Sequence, residues 1–467
     1  MSRLQPPSKV RMKSCLNTGF ESVKKEIFLS DKHFELKKET AFTMDIQPIS
    51  ASERNLGGMD FFLLWAGVAI SLAEIWAGGF LAPMGFGMGL TAIILGHIIG
   101  NTFMALGGMM GSEHGIMSMV SVRPSFGIRG SNLAAVLNII QLVGWASIML
   151  IIGGRAGAML GKSSGGILAN ENFWIFVIGI GTLAWALYIG KSAWKIMQTA
   201  AVIALFLVMV MMTWVSFREF GTGALAAAPK EMPFMIGLDF VIVMPISWLP
   251  VVADYSRFSK KTGSAFWNTW WGYFIVSSWM YILGLMATLV TGDSDPSTLI
   301  LQMMGKIGMA IPALIMVVFS TITSDFPDVY SAACSMMNIS RKVNSNTFMW
   351  IAGILSIIVA MIFPAQQYEN FLLFIGGMFV PLFGVVLSDY FFIRKRKLNA
   401  EAIYKIGGSY WYYKGFNIVA LISWAAGFLV FEIIAIAEYP IGSSLPSMFV
   451  SGILYLILMR TNSGVQK

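Results

Sequence analysis

The amino-acid sequence predicts an all-α integral membrane protein with about twelve transmembrane helices. First, only 12% of the 467 residues are charged and 56% are hydrophobic, whereas soluble domains carry roughly 25% charged residues. Second, apolar runs of about 20 residues, long enough to cross a hydrocarbon core of ~30 Å, recur over most of the chain. Third, the density of Lys and Arg alternates from one connecting loop to the next, as membrane topology requires. This composition leaves no room for a soluble domain of ordinary size.

Twelve apolar segments follow a polar N-terminal tail. Residues 1–57 lack an apolar run and are predicted to form a flexible cytoplasmic tail without a cleavable signal peptide. The membrane domain covers residues 58–460, and residues 461–467 form a second cytoplasmic tail. The predicted spans, numbered 1 to 12 in chain order, are 61–84, 90–110, 131–154, 172–190, 197–217, 237–253, 267–291, 309–325, 347–363, 370–393, 415–436 and 443–459.

The placement of Lys and Arg predicts that both termini are cytoplasmic. With the N-terminus inside, 27 of the 32 Lys and Arg residues fall in inside segments and five in outside segments. Cytoplasmic loops of membrane proteins carry such an excess. A missed or additional span would invert every later loop and remove the agreement. The net charge of +8 therefore reflects topology in a bacterial-type inner membrane, and it argues against a nucleic-acid partner.

Spans 1 and 6 contain residues that interrupt a membrane helix. Glu74 lies near the middle of span 1, where a carboxylate costs about 3 kcal/mol or more unless it is paired, protonated or facing a cavity. Gly78 and Gly79 follow it and weaken helix continuity. In span 6, Pro245 and Pro250 each remove a backbone hydrogen bond. Both spans are predicted to unwind near the bilayer midplane, although either break alone is equally well explained as a packing kink.

Interrupted helices at matching positions of two halves are typical of secondary transporters, where they form the substrate site. Spans 1 and 6 are five apart, and because five is odd, two five-span repeats have opposite orientations in the membrane. We therefore predict an inverted repeat over residues 58–220 and 235–395, with two peripheral spans over 415–460. A channel would need a continuous polar pore, which the scattered polar residues do not suggest.

Span 3 carries side chains that suit a flat heterocyclic ligand. Asn138, Gln141 and Trp145 lie close together, and the last two share one helix face because they are four residues apart. A side-chain amide offers a donor and an acceptor, and an indole offers a flat surface. The alternative is that Gln141 bonds a neighbouring helix and that Trp145 only packs.

Span 8 contains a cluster of hydroxyl and carboxyl groups, namely Thr321, Thr323, Ser324, Asp325 and Asp328. Hydroxyl and carbonyl oxygens are the hard ligands that a small cation such as sodium needs. Ser and Thr hydroxyls also bond their own helix four residues back, which explains one or two of them but not the acid. The cluster therefore suggests sodium as a coupling ion, with no other cofactor.

Motifs of enzymes and metal centres do not occur in the sequence. Cys15 and Cys334 make no disulfide framework, and the three histidines lack metal-ligand spacing. The aromatic segment 267–273 is typical of a belt at the membrane interface. For an enzyme, Glu74 and Asp325 would be the only paired acids. The sequence therefore predicts no enzymatic activity.

Four short motifs resemble the nucleobase–cation symporter-1 family, the permeases for cytosine, purines, uracil, thiamine and allantoin. They are WAGG at 76–79, RPSFGIRGS at 123–131, VGW at 143–145 and ADYSRF at 253–258. The resemblance runs from about Asp60 to span 12. It implies a LeuT-like fold, with ten core helices in inverted repeats plus two more, and a substrate held between spans 1, 3, 6 and 8. Within the family the pattern is most similar to the CytX branch, which is associated with uptake of hydroxymethylpyrimidine.

The resemblance also implies roles for individual residues. Trp145 falls on a stacking tryptophan, Ser247 on a serine near the base, and Asp325 on a polar position of span 8. We add Trp76 of the WAGG motif to the substrate-binding set. The implied sodium ligands are the carbonyl groups of Gly67 and Ile70 and the hydroxyl groups of Thr323 and Ser324.

Three positions depart from the family pattern. The glutamine that contacts the base aligns with Leu142 rather than with Gln141. The second stacking aromatic aligns with Pro245, for which Trp248 is a candidate substitute, and Glu74 replaces a small polar residue. These departures argue against cytosine as the substrate.

We therefore expect a monomeric secondary transporter for cation-coupled uptake of a pyrimidine-type base or vitamin precursor. Carboxylates at Glu74 and Asp325 favour a substrate rich in N–H donors, and hydroxymethylpyrimidine, a 4-aminopyrimidine, is the first hypothesis. The alternatives are a permease for cytosine, for another purine or pyrimidine base, or for thiamine itself. A proton on Glu74 is the alternative to sodium as the coupling ion.

Overall fold

The computed structural model describes residues 46–188, 191–219, 231–324, 326–340, 344–364, 367–437 and 439–462, without the side chains of 185–188, 191–198, 323–324, 326–327, 345 and 462. Regular structure in these ranges is helical, apart from the isolated bridges Leu56–Ser259 and Tyr413–Phe416. The predicted all-α class is therefore confirmed.

The described helices coincide with the predicted spans. Eight of them are long and apolar enough to cross a membrane, and four shorter apolar helices belong to spans 1, 4, 8 and 9. The total of twelve spans stays a prediction. In order of spans 1 to 12, the helices are Gly58–Ala69 with Leu72–Gly79, Gly85–His114, Ser131–Gly161, Glu171–Tyr188, Lys191–Glu219, Phe234–Ile246 with Leu249–Ser256, Thr262–Thr291, Ala310–Ser324 with Phe326–Ile339, Ser345–Ile362, Tyr368–Ser388 with the π-helix Asp389–Ile393, Ile418–Ile436 and Ser444–Asn462. A short helix, Pro296–Gly305, follows span 7.

Span 1 is interrupted at Ile70 and Ser71, before the two glycines. Ser71 is extended, and its hydroxyl oxygen accepts a hydrogen bond of 3.2 Å from the Ala73 N–H as the N-cap of the second half. Gly78 lies inside that second half, where a Cβ would come within 2.3 Å of the Tyr281 carbonyl oxygen of span 7. The expectation that the glycine pair interrupts span 1 is therefore wrong. These glycines allow two helices to pack closely.

Span 6 is interrupted at Ser247 and Trp248, between its two prolines, as predicted. Pro245 lies in the last turn of the first half, and Pro250 lies in the first turn of the second half. A proline has no N–H to donate, so it ends one helix and is well tolerated at the start of the next. Ser247 and Trp248 form a tight turn with helical backbone angles. The break in span 6 is thus more compact than the extended break in span 1.

Eleven of the twelve spans pack in three groups. Spans 1, 2, 6 and 7 contact one another, with span 7 against spans 1 and 2 and span 2 against span 6. Spans 3, 4, 8 and 9 form the second group around span 3, and spans 10, 11 and 12 pack on each other. Each of the first two groups contains two spans of the first predicted repeat and two spans of the second. The repeats themselves stay a prediction.

Span 12 is tied to span 6 by a buried carboxylate that sequence reasoning missed. Both oxygens of Asp239 accept hydrogen bonds from backbone N–H groups at the start of span 12, those of Ser443 and, at 3.1 Å, Ser444. A carboxylate at a helix N-terminus satisfies N–H groups that otherwise lack a partner. This contact attaches a predicted peripheral span directly to the interrupted one.

Candidate functional site

Gln141 of span 3 binds the interrupted part of span 6. Its Nε2 atom donates to the Ser247 carbonyl oxygen at 3.0 Å and to Oδ1 of Asn138 at 2.7 Å, and the residue is 1% exposed. Because a carbonyl oxygen only accepts, Nε2 must face Ser247, and Oε1 points elsewhere. Oε1 is buried without a hydrogen-bond partner among the described residues. An unpaired buried acceptor costs about 1–3 kcal/mol, which a ligand N–H group would remove.

The polar groups around Gln141 are already bonded within the protein. The Ser247 hydroxyl donates to the Met244 carbonyl oxygen at 2.7 Å, so it bonds its own helix. Nδ2 of Asn138 donates to Oγ of Ser335 in span 8 at 2.7 Å. Spans 3, 6 and 8 therefore meet at this point, and among the described atoms there Oε1 of Gln141 lacks a hydrogen-bond partner.

Trp145 lies in an aromatic cluster that spans 1, 3 and 10 build. Its ring is edge-on to the rings of Tyr368 and Phe371, with centroids 6.0 Å and 5.4 Å away. Tyr368 also packs against Trp76 at 4.9 Å and Phe80 at 5.5 Å. Trp145 is only partly buried, so ring surface remains for a flat ligand to stack on. We call these five residues the aromatic cluster.

Glu74 is bonded to span 7 through both carboxyl oxygens. Oε1 accepts from the Tyr273 hydroxyl at 2.5 Å, and Oε2 lies 2.7 Å from Oγ of Ser277. Ser277 Oγ lies 2.6 Å from Nε2 of His97 in span 2, and the Tyr273 hydroxyl accepts from Nε1 of Trp248 at 3.0 Å. These five residues, which we call the Glu74 network, join spans 1, 2, 6 and 7. Glu74 itself is 3% exposed.

The predicted substrate-binding residues do not all contact one another. Gln141 meets Ser247, whereas Trp76 and Trp145 share the ring of Tyr368. Trp248 packs edge-on against Trp65 with centroids 5.7 Å apart and belongs to the Glu74 network instead of the aromatic cluster. Asp325 lies outside the described residues.

The predicted sodium ligands are described only in part. Gly67 and Ile70 lie where the first half of span 1 ends, and carbonyl groups in the last turn of a helix lack intrahelical partners. Thr323 and Ser324 end the first helix of span 8, but their side chains lie outside the described ones. The hydroxyl of Thr321 donates to the carbonyl four residues back at 3.0 Å. For Thr321, the alternative of bonding its own helix is therefore right.

Sequence reasoning missed Tyr273, Ser277 and His97. The prediction that 267–273 forms an interfacial belt is wrong for Tyr273, which is fully buried, whereas Trp267 and Trp271 are 57% and 46% exposed. The sequence signal that could have identified Tyr273 and Ser277 was their spacing, because residues four apart lie on one face of a helix, here span 7. A second signal was His97 itself, since an ionisable residue inside a membrane helix indicates function by default.

A cluster of charged residues lies next to the aromatic cluster. The Arg155 guanidinium lies 5.9 Å from the centroid of the Trp76 ring. It pairs with Asp295, and its Nε lies 3.3 Å from Oε1 of Glu171. An open cavity of about 310 Å³ borders Arg155 and Glu171. The predicted topology puts this ion-pair cluster on the outer side of the membrane.

Known proteins match nearly the whole described chain. The sequence profile of a family described as permeases for cytosine/purines, uracil, thiamine and allantoin matches residues 48–455. The allantoin permease of Bacillus subtilis is 23% identical over 464 residues, which cover 90% of this chain and 93% of that protein. The cytosine permease of Escherichia coli is 25% identical over 361 residues, which cover 75% and 81% of the two chains.

Solved structures of the transporter Mhp1 share the fold. An inward-facing structure matches with a TM-score of 0.80 at 20% identity, over 90% of this chain and 93% of Mhp1. A closed structure, described as a nucleobase–cation symporter-1 family transporter with bromovinylhydantoin bound, matches with a TM-score of 0.77 at 20% identity, over 91% and 97%. This similarity confirms the predicted LeuT-like fold class.

Proposed function

Since the chain belongs to the family of permeases for cytosine and purines, uracil, thiamine and allantoin, the nucleobase–cation symporter-1 family, we propose that it carries out cation-coupled uptake of hydroxymethylpyrimidine. Family membership makes it a multi-pass membrane transporter of the nucleobase type rather than an enzyme. The choice of this pyrimidine and of the coupling ion is the proposal.

The observation that supports an amino-bearing substrate is the unpaired oxygen Oε1 of Gln141. The amino group of a 4-aminopyrimidine is a donor that would fill this acceptor. A site that is built to bond an N–H group rejects an analogue without it, because the buried acceptor is then left unpaired. Gln141 thus acts as the group that selects for the amino substituent.

Trp145 supplies the flat surface for the pyrimidine ring. It lies one helical turn after Gln141 on the same face of span 3, and the edges of Tyr368 and Phe371 fix its orientation. Stacking of aromatic rings contributes about 0.5–1.5 kcal/mol beyond the area that it buries. The ring and the amino group of the substrate are therefore bound by neighbouring residues of one helix.

Both carboxyl oxygens of Glu74 lie in hydrogen bonds to span 7, through Tyr273 and Ser277. Gln141 supplies an acceptor that has no hydrogen-bond partner among the described residues, so it is the stronger candidate for the substrate N–H group. Asp325 keeps its proposed position at the substrate edge.

Sodium is the coupling ion in this proposal. It would bind between the carbonyl oxygens of Gly67 and Ile70 and the hydroxyl groups of Thr323 and Ser324. An ion at this point joins the interrupted part of span 1 to span 8, so it would order the break before the substrate enters. Coupling requires that its affinity differ between the outward-facing and inward-facing states.

Uptake into liposomes that contain the purified protein tests the proposal. Labelled hydroxymethylpyrimidine, cytosine and thiamine are offered separately, with an inward gradient of either sodium or choline. We expect accumulation of hydroxymethylpyrimidine in the sodium gradient alone. Accumulation of cytosine or thiamine without hydroxymethylpyrimidine would overturn the substrate, and equal uptake in choline would overturn sodium coupling.

A matched ligand isolates the role of the amino group. The analogue of hydroxymethylpyrimidine in which hydrogen replaces the amino group keeps the ring and the hydroxymethyl group. We expect it to compete at least about tenfold more weakly, which corresponds to roughly 1.4 kcal/mol. Equal competition by the two compounds would remove Gln141 as the selecting residue.

We also propose that the protein works as a monomer in a bacterial-type inner membrane with both termini cytoplasmic. The excess of Lys and Arg in the predicted inside loops supports this orientation. Protease access to terminal tags in spheroplasts and in inverted vesicles measures it. Cleavage in intact spheroplasts would contradict the orientation, and a dimer mass by light scattering in detergent would contradict the monomer.

A further inference from the structure

Glu74, Ser277 and His97 form a linear hydrogen-bonded chain across spans 1, 7 and 2. Oε2 of Glu74 lies 2.7 Å from Oγ of Ser277, which lies 2.6 Å from Nε2 of His97. Nδ1 of His97 lies 2.9 Å from the Ile93 carbonyl oxygen. Ser277 and His97 are fully buried, and Glu74 nearly so.

The positions of the hydrogens in this hydrogen-bonded chain can be assigned from its His97 end. The Ile93 carbonyl only accepts, so Nδ1 of His97 must carry a hydrogen. Nε2 of a neutral imidazole then carries none and accepts from the Ser277 hydroxyl. Ser277 has no second hydrogen for Glu74, and the bond between them requires a proton on Oε2 of Glu74. Oε1 meanwhile accepts from the Tyr273 hydroxyl.

One other arrangement of the hydrogens supplies a donor for each of these hydrogen bonds, and it contains the same number of protons. If the proton moves from Glu74 to the Ser277 oxygen, the hydrogen of Ser277 passes to Nε2 of His97. Ser277 then donates to an ionised Glu74, and the imidazolium donates from both of its nitrogens. An ionised Glu74 beside a neutral His97 would instead leave one of the two short contacts without a hydrogen.

We infer that Glu74, Ser277 and His97 form a buried binding site for one proton, and that the protein releases and rebinds this proton during transport. The first part stands on the hydrogen-bond geometry alone, whereas the second rests on the proposed function. The site makes the proton a second coupled ion in addition to the proposed sodium.

The groups that surround Glu74 do not supply a free counter-charge. Tyr273 and Ser277 of span 7 contact Glu74 directly, and Trp248 of span 6 and His97 of span 2 bond those two residues in turn. Tyr281 of span 7 contacts His97, and Tyr368 of span 10 bonds the carbonyl oxygen of Ala73 next to Glu74. Arg155, beside Trp76, is paired with Asp295. Within the described residues, Glu74 has no ion-pair partner. A buried, unpaired carboxylate is costly, so the proton leaves only when water or a cation reaches the site.

The proton site lies between the two helix breaks. Glu74 follows the N-cap residue Ser71 by three positions, and its Oε1 is linked through Tyr273 to Trp248 at the break in span 6. Loss of the proton changes the hydrogen bonds of a carboxyl that lies on interrupted span 1 and is linked through Tyr273 to interrupted span 6. The protonation state of Glu74 is therefore linked, through Tyr273, to the two interrupted spans that build the proposed substrate site.

Infrared spectroscopy of the purified full-length protein tests the proton directly. At neutral pH we expect the C=O stretching band of a protonated carboxyl that is lost in Glu74→Gln. The amide introduced by this substitution can accept from Tyr273 and donate to Ser277, so the variant should fold. Glu432→Gln, the same chemical change at a partly exposed position of span 11, should keep the band. A band that survives in Glu74→Gln places the proton elsewhere and overturns the site.

Nitrogen NMR of labelled histidine is the second measurement. The chain has three histidines, so His33→Gln with His114→Gln leaves His97 as the only one. We expect hydrogen on Nδ1 and none on Nε2, or hydrogen on both nitrogens if the proton resides on His97. Two results would overturn the site. One is hydrogen on Nε2 alone. The other is a neutral His97 in a protein whose infrared spectrum lacks the band of a protonated carboxyl.

Proton movement during uptake tests the coupling role. Liposomes in weak buffer receive hydroxymethylpyrimidine or cytosine, and the internal pH is followed together with uptake. We expect uptake by the wild-type protein to acidify the interior, and Glu74→Gln to lose this acidification and the pH dependence of uptake. Substrate uptake without acidification overturns the coupling role. Uptake of neither compound overturns the proposed function and the coupling role with it, while the spectroscopic results still decide the proton site.

Discussion

The Gln141 side chain and the Ser247 backbone carbonyl are joined by a hydrogen bond of 3.0 Å, which ties span 3 to the break in span 6. The two spans belong to different packing groups, so this bond crosses the contact between them. Asn138 extends the connection to Ser335 of span 8. Movement of one group against the other must break this bond or carry the break in span 6 along with it.

Gln141→Leu removes the donor to Ser247 and Asn138 together with the free acceptor Oε1. Two buried oxygens lose their donor, at a cost of about 1–3 kcal/mol each, whereas removal of the unpaired Oε1 returns about 1–3 kcal/mol. We therefore expect the free energy of unfolding to fall by about 1–3 kcal/mol in total. Thr91→Val on the lipid-facing side of span 2, where the hydroxyl bonds its own helix, is the control and should change it by less than about 0.5 kcal/mol. Denaturation of both variants in detergent measures the difference. Equal losses would contradict a special role of Gln141.

Trp145→Ala should weaken binding of hydroxymethylpyrimidine, because the stacking surface is removed. Substitution of a stacking aromatic by alanine costs about 1–3 kcal/mol per base, which is roughly a 5- to 150-fold increase in Kd. Trp145→Phe keeps a ring and should lose less. Trp267→Ala, at a 57% exposed position of span 7, should leave the Kd unchanged. A Kd in Trp145→Ala that equals that of the wild type would remove Trp145 from the site.

The interruptions of spans 1 and 6 differ in how well sequence predicts them. Pro245 and Pro250 act locally, because each lacks an N–H group whatever surrounds it, and the break falls between them. Glycine only permits a break, and Gly78 is there for the approach of Tyr281, which depends on the tertiary packing. Ser71 interrupts span 1 as an N-cap, a role that a single serine in an apolar run does not reveal.

The candidate site was predictable where its parts lie on one helix. Gln141 and Trp145 share a face of span 3 by spacing alone, and both lie at contacts with other spans. The partners of Glu74 could not be predicted in this way, because Tyr273 and Ser277 are 199 and 203 residues away in sequence. A lone acid in a membrane helix predicts that partners exist, but only the packing of span 7 on span 1 identifies them.

Tyr273 should couple the two interrupted spans energetically, since its hydroxyl donates to Glu74 and accepts from Trp248. Tyr273→Phe, Trp248→Phe and the double variant form a cycle that isolates the bond between the two side chains. We expect a coupling free energy of about 0.5–3 kcal/mol, the range for residues in one hydrogen-bond network. Thermal unfolding of the four proteins measures it. Additive effects would show that this bond contributes nothing to the link between the breaks.

Asp295 has two separable roles, one for each carboxyl oxygen. Oδ1 accepts from the N–H groups of Ser297 and Thr298, at 3.0 Å and 3.1 Å, as the N-cap of the helix Pro296–Gly305, whereas Oδ2 pairs with Arg155. Asp295→Asn keeps a capping oxygen and loses the charge, and Asp295→Ala loses both. We expect Ala to be less stable than Asn by about 0.5–2 kcal/mol, the usual worth of an N-cap.

The ion pair of Asp295 with Arg155 should be recognisable by its response to salt. Both side chains are partly exposed, so the pair is screened and contributes at most about 1 kcal/mol. Choline chloride is used as the salt because choline does not fit the proposed sodium site. Raising its concentration should reduce the difference in the free energy of unfolding between the wild type and Asp295→Asn. The difference between Asp295→Asn and Asp295→Ala should persist, because a helix cap with a neutral acceptor does not depend on ionic strength. If both differences shrink together, the charge of Asp295 rather than its capping oxygen stabilises the helix Pro296–Gly305.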